Sequence, residues 1–384
     1  MKQGWEYKKF DEVFNLQMGK TPDRKNPDYF GGKNVWITIR DLGNKEVSES
    51  NEHITDKAVS DTNIRKVKKG TVIMSFKLTL GKCGIAARDL YTNEAIMAFN
   101  TKEGYDINSS FLYYYLQCYN WKGSNKAVMG ITLNKATISK HHINIPPKST
   151  QLSIVSELDK INELIRLKKE QLKDYDNLAQ SIFYEMFGDP VENDKGWEVS
   201  TYSKCFNIGS GGTPSKSVPE YWDNGNIPWI GSNMCQNCII TETDGKFITQ
   251  EGLNNSSTKY LEVGTVLVAL VGATIGKVAL LRTPTCTNQN VAFIKANESK
   301  DFVPEYVFYN LMGQYDEFMK IGKGDFKMAN QAFIKSLPIL SPPLPLQHLF
   351  AQRIEQIERQ KSAVQKSITD LEALLASRMQ HWFE

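Results

Sequence analysis

The chain has 384 residues, 41% hydrophobic and 23% charged, with 26 Gly and 14 Pro, a globular composition that excludes disordered, collagen-like and low-complexity chains. Forty-six basic against 43 acidic residues leave a net charge of only +3, so a nucleic-acid binder would have to concentrate its charge locally. There is no run of 18 apolar residues for a membrane span, no apolar signal core behind Met1-Lys2-Gln3-Gly4-Trp5-Glu6, and no disulfide framework among six scattered Cys; these features predict a cytoplasmic chain of two to three domains with no membrane partner.

Gly4-Trp5-Glu6 returns as Gly196-Trp197-Glu198, an offset of 192, half of 384. Phe14-Asn15 returns as Phe206-Asn207, and Gly19, Thr21, Pro22 and Tyr29 return as Gly211, Thr213, Pro214 and Tyr221. Trp36-Ile37, Gly70-Thr71-Val72, Gly81-Lys82, Thr92-Asn93 and Pro146-Pro147 match Trp229-Ile230, Gly264-Thr265-Val266, Gly276-Lys277, Thr287-Asn288 and Pro342-Pro343. The period is too long for a solenoid and indicates duplicated domains related by a pseudo-twofold.

Residues 1–145 carry short β-type runs, such as Val35-Trp36-Ile37-Thr38-Ile39 and Thr71-Val72-Ile73-Met74-Ser75-Phe76, punctuated by Gly, Asn and Asp. One helix is predicted at 108–120, through Phe111, Leu112, Tyr115 and Leu116, and its second copy has Pro304 in the first turn, where proline is tolerated. After Pro146-Pro147 the period becomes helical. Heptad a positions are Leu158, Ile165, Leu172, Ala179 and Met186; d positions are Ile154, Ile161, Lys168, Tyr175 and Ile182. The second copy places Ile354, Lys361, Ile368, Leu375 and Trp382 at a, and Phe350, Ile357, Val364, Leu371 and Arg378 at d. Two seams of five heptads favour pairing of the helices with each other over packing of each on its own globule. The first helix must deliver the chain at Gly188-Asp189-Pro190 and the second has only the way back, so they should run antiparallel. The predicted class is α+β: two tandem pseudo-symmetric α/β globules, 1–145 and 191–340, separated by a long antiparallel two-helix coiled coil from 146–190 and 341–384.

Motifs that imitate catalytic signatures fail on inspection. Gly272-Ala273-Thr274-Ile275-Gly276-Lys277-Val278 is one residue short of a phosphate loop and has Val278 where Ser or Thr would hold Mg²⁺. Asn26-Pro27-Asp28-Tyr29 resembles the amino-methyltransferase Asn-Pro-Pro-Tyr tetrapeptide but has the wrong third residue, and its twin Val218-Pro219-Glu220-Tyr221 drops the Asn. Cys235-x-x-Cys238 has no second pair at zinc spacing, and His141-His142 would point apart on a strand. No catalytic residue and no metal ligand is predicted.

Local cations and amides remain. The first globule offers Lys20, Thr21, Arg24, Lys25, Lys33, Arg40, the run Arg65-Lys66-Val67-Lys68-Lys69, Lys77, Lys82, and Lys122 to Lys126 with Asn125. The second offers Thr213, Ser215, Lys216, Ser232, Asn233, Lys277, Asn288-Gln289-Asn290, and Lys320 to Lys327 with Lys323. Such sets mix phosphate-binding cations with side chains that read base edges, Arg and Lys for guanine, Asn and Gln for adenine. The alternative for each cluster is an ordinary solvated face, and recurrence at corresponding loops of both copies leaves the two readings balanced.

The arrangement resembles the specificity subunit of Type I restriction–modification systems over the whole chain. The resemblance is carried by Gly211-Gly212-Thr213-Pro214-Ser215, Glu220-Tyr221-Trp222, Ile227-Pro228-Trp229-Ile230, Asn288-Gln289-Asn290 and Pro342-Pro343-Leu344-Pro345-Leu346-Gln347, with the heptad helix ending in Met186-Phe187-Gly188-Asp189. The second helix departs from it, ending at Phe383-Glu384 without a counterpart of Gly188-Asp189-Pro190. The resemblance implies two target-recognition domains, each reading one half of a split sequence in double-stranded DNA. It implies helices that dock modification subunits, two in number, and restriction subunits. It also implies no catalytic centre and no cofactor on this chain, with S-adenosylmethionine, ATP and Mg²⁺ on the partners. Paired helices would serve as a ruler, because their length cannot adjust without a shift of heptad register, and the heads would sit on one side of the duplex, about one helical turn or slightly more apart. Lys20 against Gly212, and Arg40 against Asn233, predict two different half-sites. The competing readings are a stand-alone DNA-modifying enzyme, a methylation-only defence specificity protein, and a scaffold that binds no DNA.

Overall fold

The computed structural model describes residues 4–121, 125–127, 130–297, 302–321 and 328–383, with 125–127 and 130–132 as backbone only. It divides into two compact units, Met1–Lys169 with Lys366–Glu384, and Glu170–Gln365.

In the first unit a five-stranded sheet runs in the order Phe14–Met18, Ile96–Thr101, Val72–Ser75, Cys83–Ala86, Glu46–Val47. Its pairs are antiparallel except the last, which is parallel. Val72-Ile73-Met74-Ser75 is buried throughout, which accounts for its uninterrupted apolar run. A smaller sheet joins His53–Ile54, Phe30–Ile37 and Tyr91–Thr92. The helix Ser109–Cys118 starts where the Asn108 side chain accepts from Phe111 N at 3.1 Å, and it buries Phe111 to Leu116 on the main sheet. The second unit repeats the strand order with Phe206–Ser210, Val291–Ala296, Val266–Ala269, Val278–Leu281 and Cys238–Ile240. Its smaller sheet has a fourth strand, Tyr260–Leu261; at the corresponding place the first unit has the single Val67–Leu90 bridge among its described residues. Proline opens the helix Pro304–Gly313, as predicted.

The long helices are Lys148–Phe187 and Leu344–Phe383, 40 residues each. A buried glutamine ties the first turn of each to its globule. Gln151 Nε2 donates to Pro146 O at 3.0 Å, and its Oε1 accepts from Asn108 N at 2.8 Å. Gln347 Nε2 donates to Pro342 O at 2.9 Å, and its Oε1 accepts from Val303 N at 3.0 Å. Within the first unit the helix segments run antiparallel, Glu157 meeting Arg378 and Lys169 meeting Glu372 at 2.8 Å. Within the second unit they do so again, Asp176 meeting Lys361 at 2.8 Å and Phe183 meeting Phe350.

Ile154, Leu158, Ile161, Ile165, Phe350, Ile354, Ile357, Val364 and Ile368 are buried, while Leu172, Tyr175, Ile182, Leu371 and Leu375 are half-buried. The choice between self-pairing and packing on the globules resolves into both. Ile154 and Leu158 belong to the core of the first globule, and Phe183 and Phe187, which lie off the a and d positions, belong to that of the second with Tyr306 and Phe350. At the other end Trp382 and Phe383 pack on the first globule's core, Phe383 against Phe111 and Tyr115.

Candidate nucleic-acid interface

The recurring Gly, Thr-Pro and Trp-Ile motifs form one device. After the strand Phe14–Met18 the chain turns at Gly19, where a Cβ would lie 2.2 Å from the carbonyls of Thr92 and Asn93. The indole of buried Trp36 donates to Lys20 O at 3.0 Å and seats the turn that carries Thr21, Arg24 and Lys25. In the second unit a Cβ on Gly211 would lie 2.0 Å from Thr287 O, and Trp229 Nε1 donates to Gly212 O at 2.9 Å, seating Thr213, Ser215 and Lys216. Just beyond each Trp a single 3₁₀ turn presents the next candidates, Arg40 in Ile39–Asp41 and Asn233 in Ser232–Met234. The first turn is fixed by Asp41, whose carboxylate accepts from Thr38 N at 2.7 Å and Oγ1 at 2.9 Å.

These loops enclose a concavity of about 840 Å³ in the first unit, lined among others by Arg24, Arg40, Lys77, Leu78, Asn93 and Glu94. The structure thus gathers three of the predicted cations. Arg24 is committed: its guanidinium meets both oxygens of Glu52 at 2.8 and 3.3 Å and lies over Trp36, 5.2 Å from the ring centre. Lys77 lies 5.7 Å from the Phe76 ring centre, and Arg40 is exposed. Thr21 donates to the Glu94 carboxylate. Lys20, Lys25 and Lys82 are exposed and do not line the concavity; Lys20 Nζ donates to Thr62 O at 2.6 Å. Asn125 and Lys126 fall in the strand Asn125–Ala127, paired with Gly130–Thr132; their side chains, and Lys323 and Lys327, lie outside the described residues.

The second unit is furnished with amides and hydroxyls. Thr213 Oγ1 donates to Gln289 Oε1 at 2.6 Å, and Ser215 Oγ lies 2.8 Å from Ser217 Oγ. Lys277 Nζ donates to Gln236 Oε1 at 2.8 Å, and Gln236 Nε2 donates to Asn233 O at 3.1 Å, so Ser232–Met234 and Lys277 share one polar chain. Lys216 is exposed. Leu78, Glu52, Asn93 and Glu94 were not picked out from the sequence.

The imitations of catalytic motifs have ordinary places. Gly272–Thr274 is a 3₁₀ turn leading into the strand Val278–Leu281, with no helix N-terminus to receive a phosphate. Pro27–Tyr29 and Pro219–Tyr221 are matching single turns. Burial pushes the Cys235 thiol up to about 12, and no group of three His, Cys, Asp or Glu among the described residues could hold a metal. His141 and His142 do not share a strand: His142 opens His142–Ile145 and stacks on Tyr7, whereas His141 caps the helix Lys135–Lys140 and lies 2.9 Å from Tyr119 Oη.

The sequence profile of the Type I restriction modification DNA specificity domain matches residues 2–174 and again 194–373. The Type I restriction enzyme MjaIX specificity subunit of Methanocaldococcus jannaschii is 24% identical over 96% of this chain and 90% of that protein. The EcoR124I/EcoR124II specificity subunit of Escherichia coli is 26% identical over 59% of this chain and 55% of that protein. Among solved structures, one from a study of complex assembly and conformational transition of the type I R-M system has a TM-score of 0.63 at 17% identity, covering 100% of this chain and 98% of that one. The S subunit of a Type I system from M. genitalium has a TM-score of 0.51 at 13% identity, covering 99% and 96%.

Proposed function

The chain belongs to the Type I restriction–modification DNA specificity family, as a non-catalytic subunit with two tandem recognition domains, and from that premise we propose that it reads a bipartite, asymmetric target in double-stranded DNA, one half-site per domain. The observation that carries this reading is a shared frame with unlike furnishing. The Trp36 and Trp229 indoles seat matching turns, yet the next turn presents Arg40 in one copy and Asn233 in the other. Arg favours the acceptors of guanine and Asn the donor–acceptor pair of adenine, so two heads on one frame would read different bases. The loop cations would supply the sequence-independent phosphate affinity.

In the same reading the paired helices set the spacer between half-sites and dock the modification subunits, two per chain, and through them the restriction subunits. S-adenosylmethionine, ATP and Mg²⁺ act on those partners, in the cytoplasm. No helix among the described residues is long and apolar enough to cross a membrane.

The test is to map methylated positions genome-wide with the gene intact and deleted. A motif of two unlike blocks at fixed spacing, lost on deletion, is the expected result; a contiguous or palindromic motif overturns the bipartite reading. Inserting four residues into Lys148–Phe187 should lengthen the spacer and leave both blocks unchanged, and an unchanged spacer removes the ruler.

A further inference from the structure

The loop that leaves Val72–Ser75 and returns through Cys83–Ala86 has a twin between Val266–Ala269 and Val278–Leu281. The two are closed by the same backbone bonds: Gly81 N to Ser75 O at 3.0 Å and Gly276 N to Ala269 O at 2.9 Å, Ser75 N to Lys82 O at 2.8 Å and Ala269 N to Lys277 O at 2.9 Å. Their first residues are anchored alike, Phe76 N to Ala95 O and Leu270 N to Asn290 O, both at 2.9 Å. Two residues further on, both chains enter the left-handed region, at φ 63° in one copy and 71° in the other. In the second copy that residue is Gly272, which adopts the conformation without steric cost. In the first it is Leu78, for which the Cβ makes it unfavourable.

Burial does not repay that cost, since Leu78 is 63% exposed. Nor does lack of room dictate the glycine of the twin, because a Cβ on Gly272 would meet nothing within 4 Å. The fold closes this loop without the leucine side chain, and the first copy carries it where it adds nothing to the core. The loop is held from below by buried Ser75, whose Oγ donates to Thr79 O and accepts from Lys82 N at 3.1 Å. Leu78 is thereby displayed on the wall of the concavity that also holds Arg24, Arg40, Lys77 and Asn93.

Of the apolar residues on that wall Ile39 is half-buried and Ala95 buried, so Leu78 is the one that projects, among Arg24, Arg40, Lys77, Asn93 and the carboxylates of Glu52 and Glu94. One projecting apolar side chain in so polar a setting is poorly suited to a protein or lipid partner, which would want a contiguous apolar patch. It suits a DNA major groove, where the cations meet phosphates and acceptor edges and the C5 methyl of thymine is the apolar feature of the base edges. We propose that Leu78 is a specificity-determining residue that reads the methyl group of one thymine in the half-site of the first domain, a role Gly272 cannot play in the second. The proposal rests on the DNA-specificity reading above.

The test compares the full-length chain with Leu78→Gly on the duplex defined by methylation mapping, with each thymine replaced in turn by deoxyuridine, which lacks only the methyl. Leu78→Gly installs the residue that the twin uses at this backbone conformation, so it should fold. Wild type is expected to lose about fourfold in affinity at one deoxyuridine in the first half-site, the worth of one buried methyl. Leu78→Gly should lose about as much on unmodified DNA, be insensitive to that deoxyuridine, and keep the wild-type salt slope. Full affinity of Leu78→Gly for the unmodified duplex overturns the proposal. So does a loss that no single deoxyuridine reproduces, since it would mean contact with something other than a methyl. Should wild type show no preference for the mapped duplex over random DNA, the specificity reading itself falls and takes the proposal with it.

Discussion

Arg378 meets both carboxylate oxygens of Glu157 across the helix pair of the first unit, and Trp382 Nε1 donates to the same carboxylate at 2.9 Å. Arg378 occupies a d position that the heptad would give to an aliphatic residue; Glu157 takes up its charge, and the guanidinium lies 5.5 Å from the Trp382 ring centre. The arginine, as the leading cause, holds the Glu157 carboxyl below its usual value of 4.5, with the indole N–H assisting. A carboxyl depressed in the folded state binds protons more readily when unfolded, so its contribution is present above 4.5 and fades as pH falls below it. The gap in urea midpoint between wild type and Glu157→Gln should therefore be open at pH 7 and shrink below about pH 4.5. A gap that stays constant down to pH 3 would show that the carboxylate charge is not what the arginine needs.

Phe183 is the joint between the first long helix and the core of the second unit, its ring centre within 6.1 Å of those of Phe187, Tyr306, Tyr309 and Phe350. Phe183→Ala should destabilise this unit by about 3–5 kcal/mol, the range for truncating a buried aromatic. Leu178→Ala, on the same helix but 47% exposed, should change it by less than about 0.5 kcal/mol. Chemical denaturation of the two variants side by side reads the difference, and equal midpoints would mean that the helix end does not anchor there.

Gly211 and Gly19 have no space for a Cβ, the obstructing atoms being carbonyl oxygens of Thr287 in one case and of Thr92 and Asn93 in the other. Backbone cannot yield as a side-chain tip does, so Gly211→Ala and Gly19→Ala should each cost about 1–3 kcal/mol. They should also displace the turn that the neighbouring Trp seats. Gly19→Ala should relax recognition of one block of the target and Gly211→Ala the other, read as methylation of sites degenerate in a single block. Gly43→Ala, with nothing within 4 Å of its Cβ position, should be silent. Loss of both blocks from one variant would count against independent heads.

The duplication and the long helices were legible because they are written as local periodicity, a recurring Gly-Trp-Glu, a heptad and a Pro-Pro before each helix, and the antiparallel course because the chain path from one globule to the next leaves the second helix only the way back. The joint at Phe183 and Phe187 was not, because the face these residues use is chosen by Tyr306 and Phe350, well over a hundred residues away, and not by the heptad. The polar seam positions were visible, but their partners were not. Lys361 at a is answered by Asp176 from the other helix and by Glu358 from its own. Arg24 and Lys25 read alike in the sequence and differ in the structure because Glu52, 28 residues on, takes one of them. The run from Leu78 to Cys83 was legible as the counterpart of the Gly272 loop, but the left-handed backbone that sets Leu78 apart is fixed by the closure of the loop and is not written in its residues.

That difference between adjacent cations has a measurable consequence. Lys25 and Lys216 are exposed on corresponding turns, and in the proposed reading, where they meet phosphates, each should contribute by releasing counterions. Lys25→Ala and Lys216→Ala should weaken binding to all sequences alike and flatten the slope of log affinity against log salt by about 0.9 each. Arg24 already shares its charge with Glu52 and covers Trp36. Its removal should change the slope less, while exposing the indole that seats the Lys20 turn and weakening the first half-site selectively. Salt titrations on cognate and random duplexes separate the two behaviours: a slope change for Arg24→Ala as large as that for Lys25→Ala would mean that DNA displaces Glu52, and no slope change for either lysine would remove these turns from the phosphate backbone.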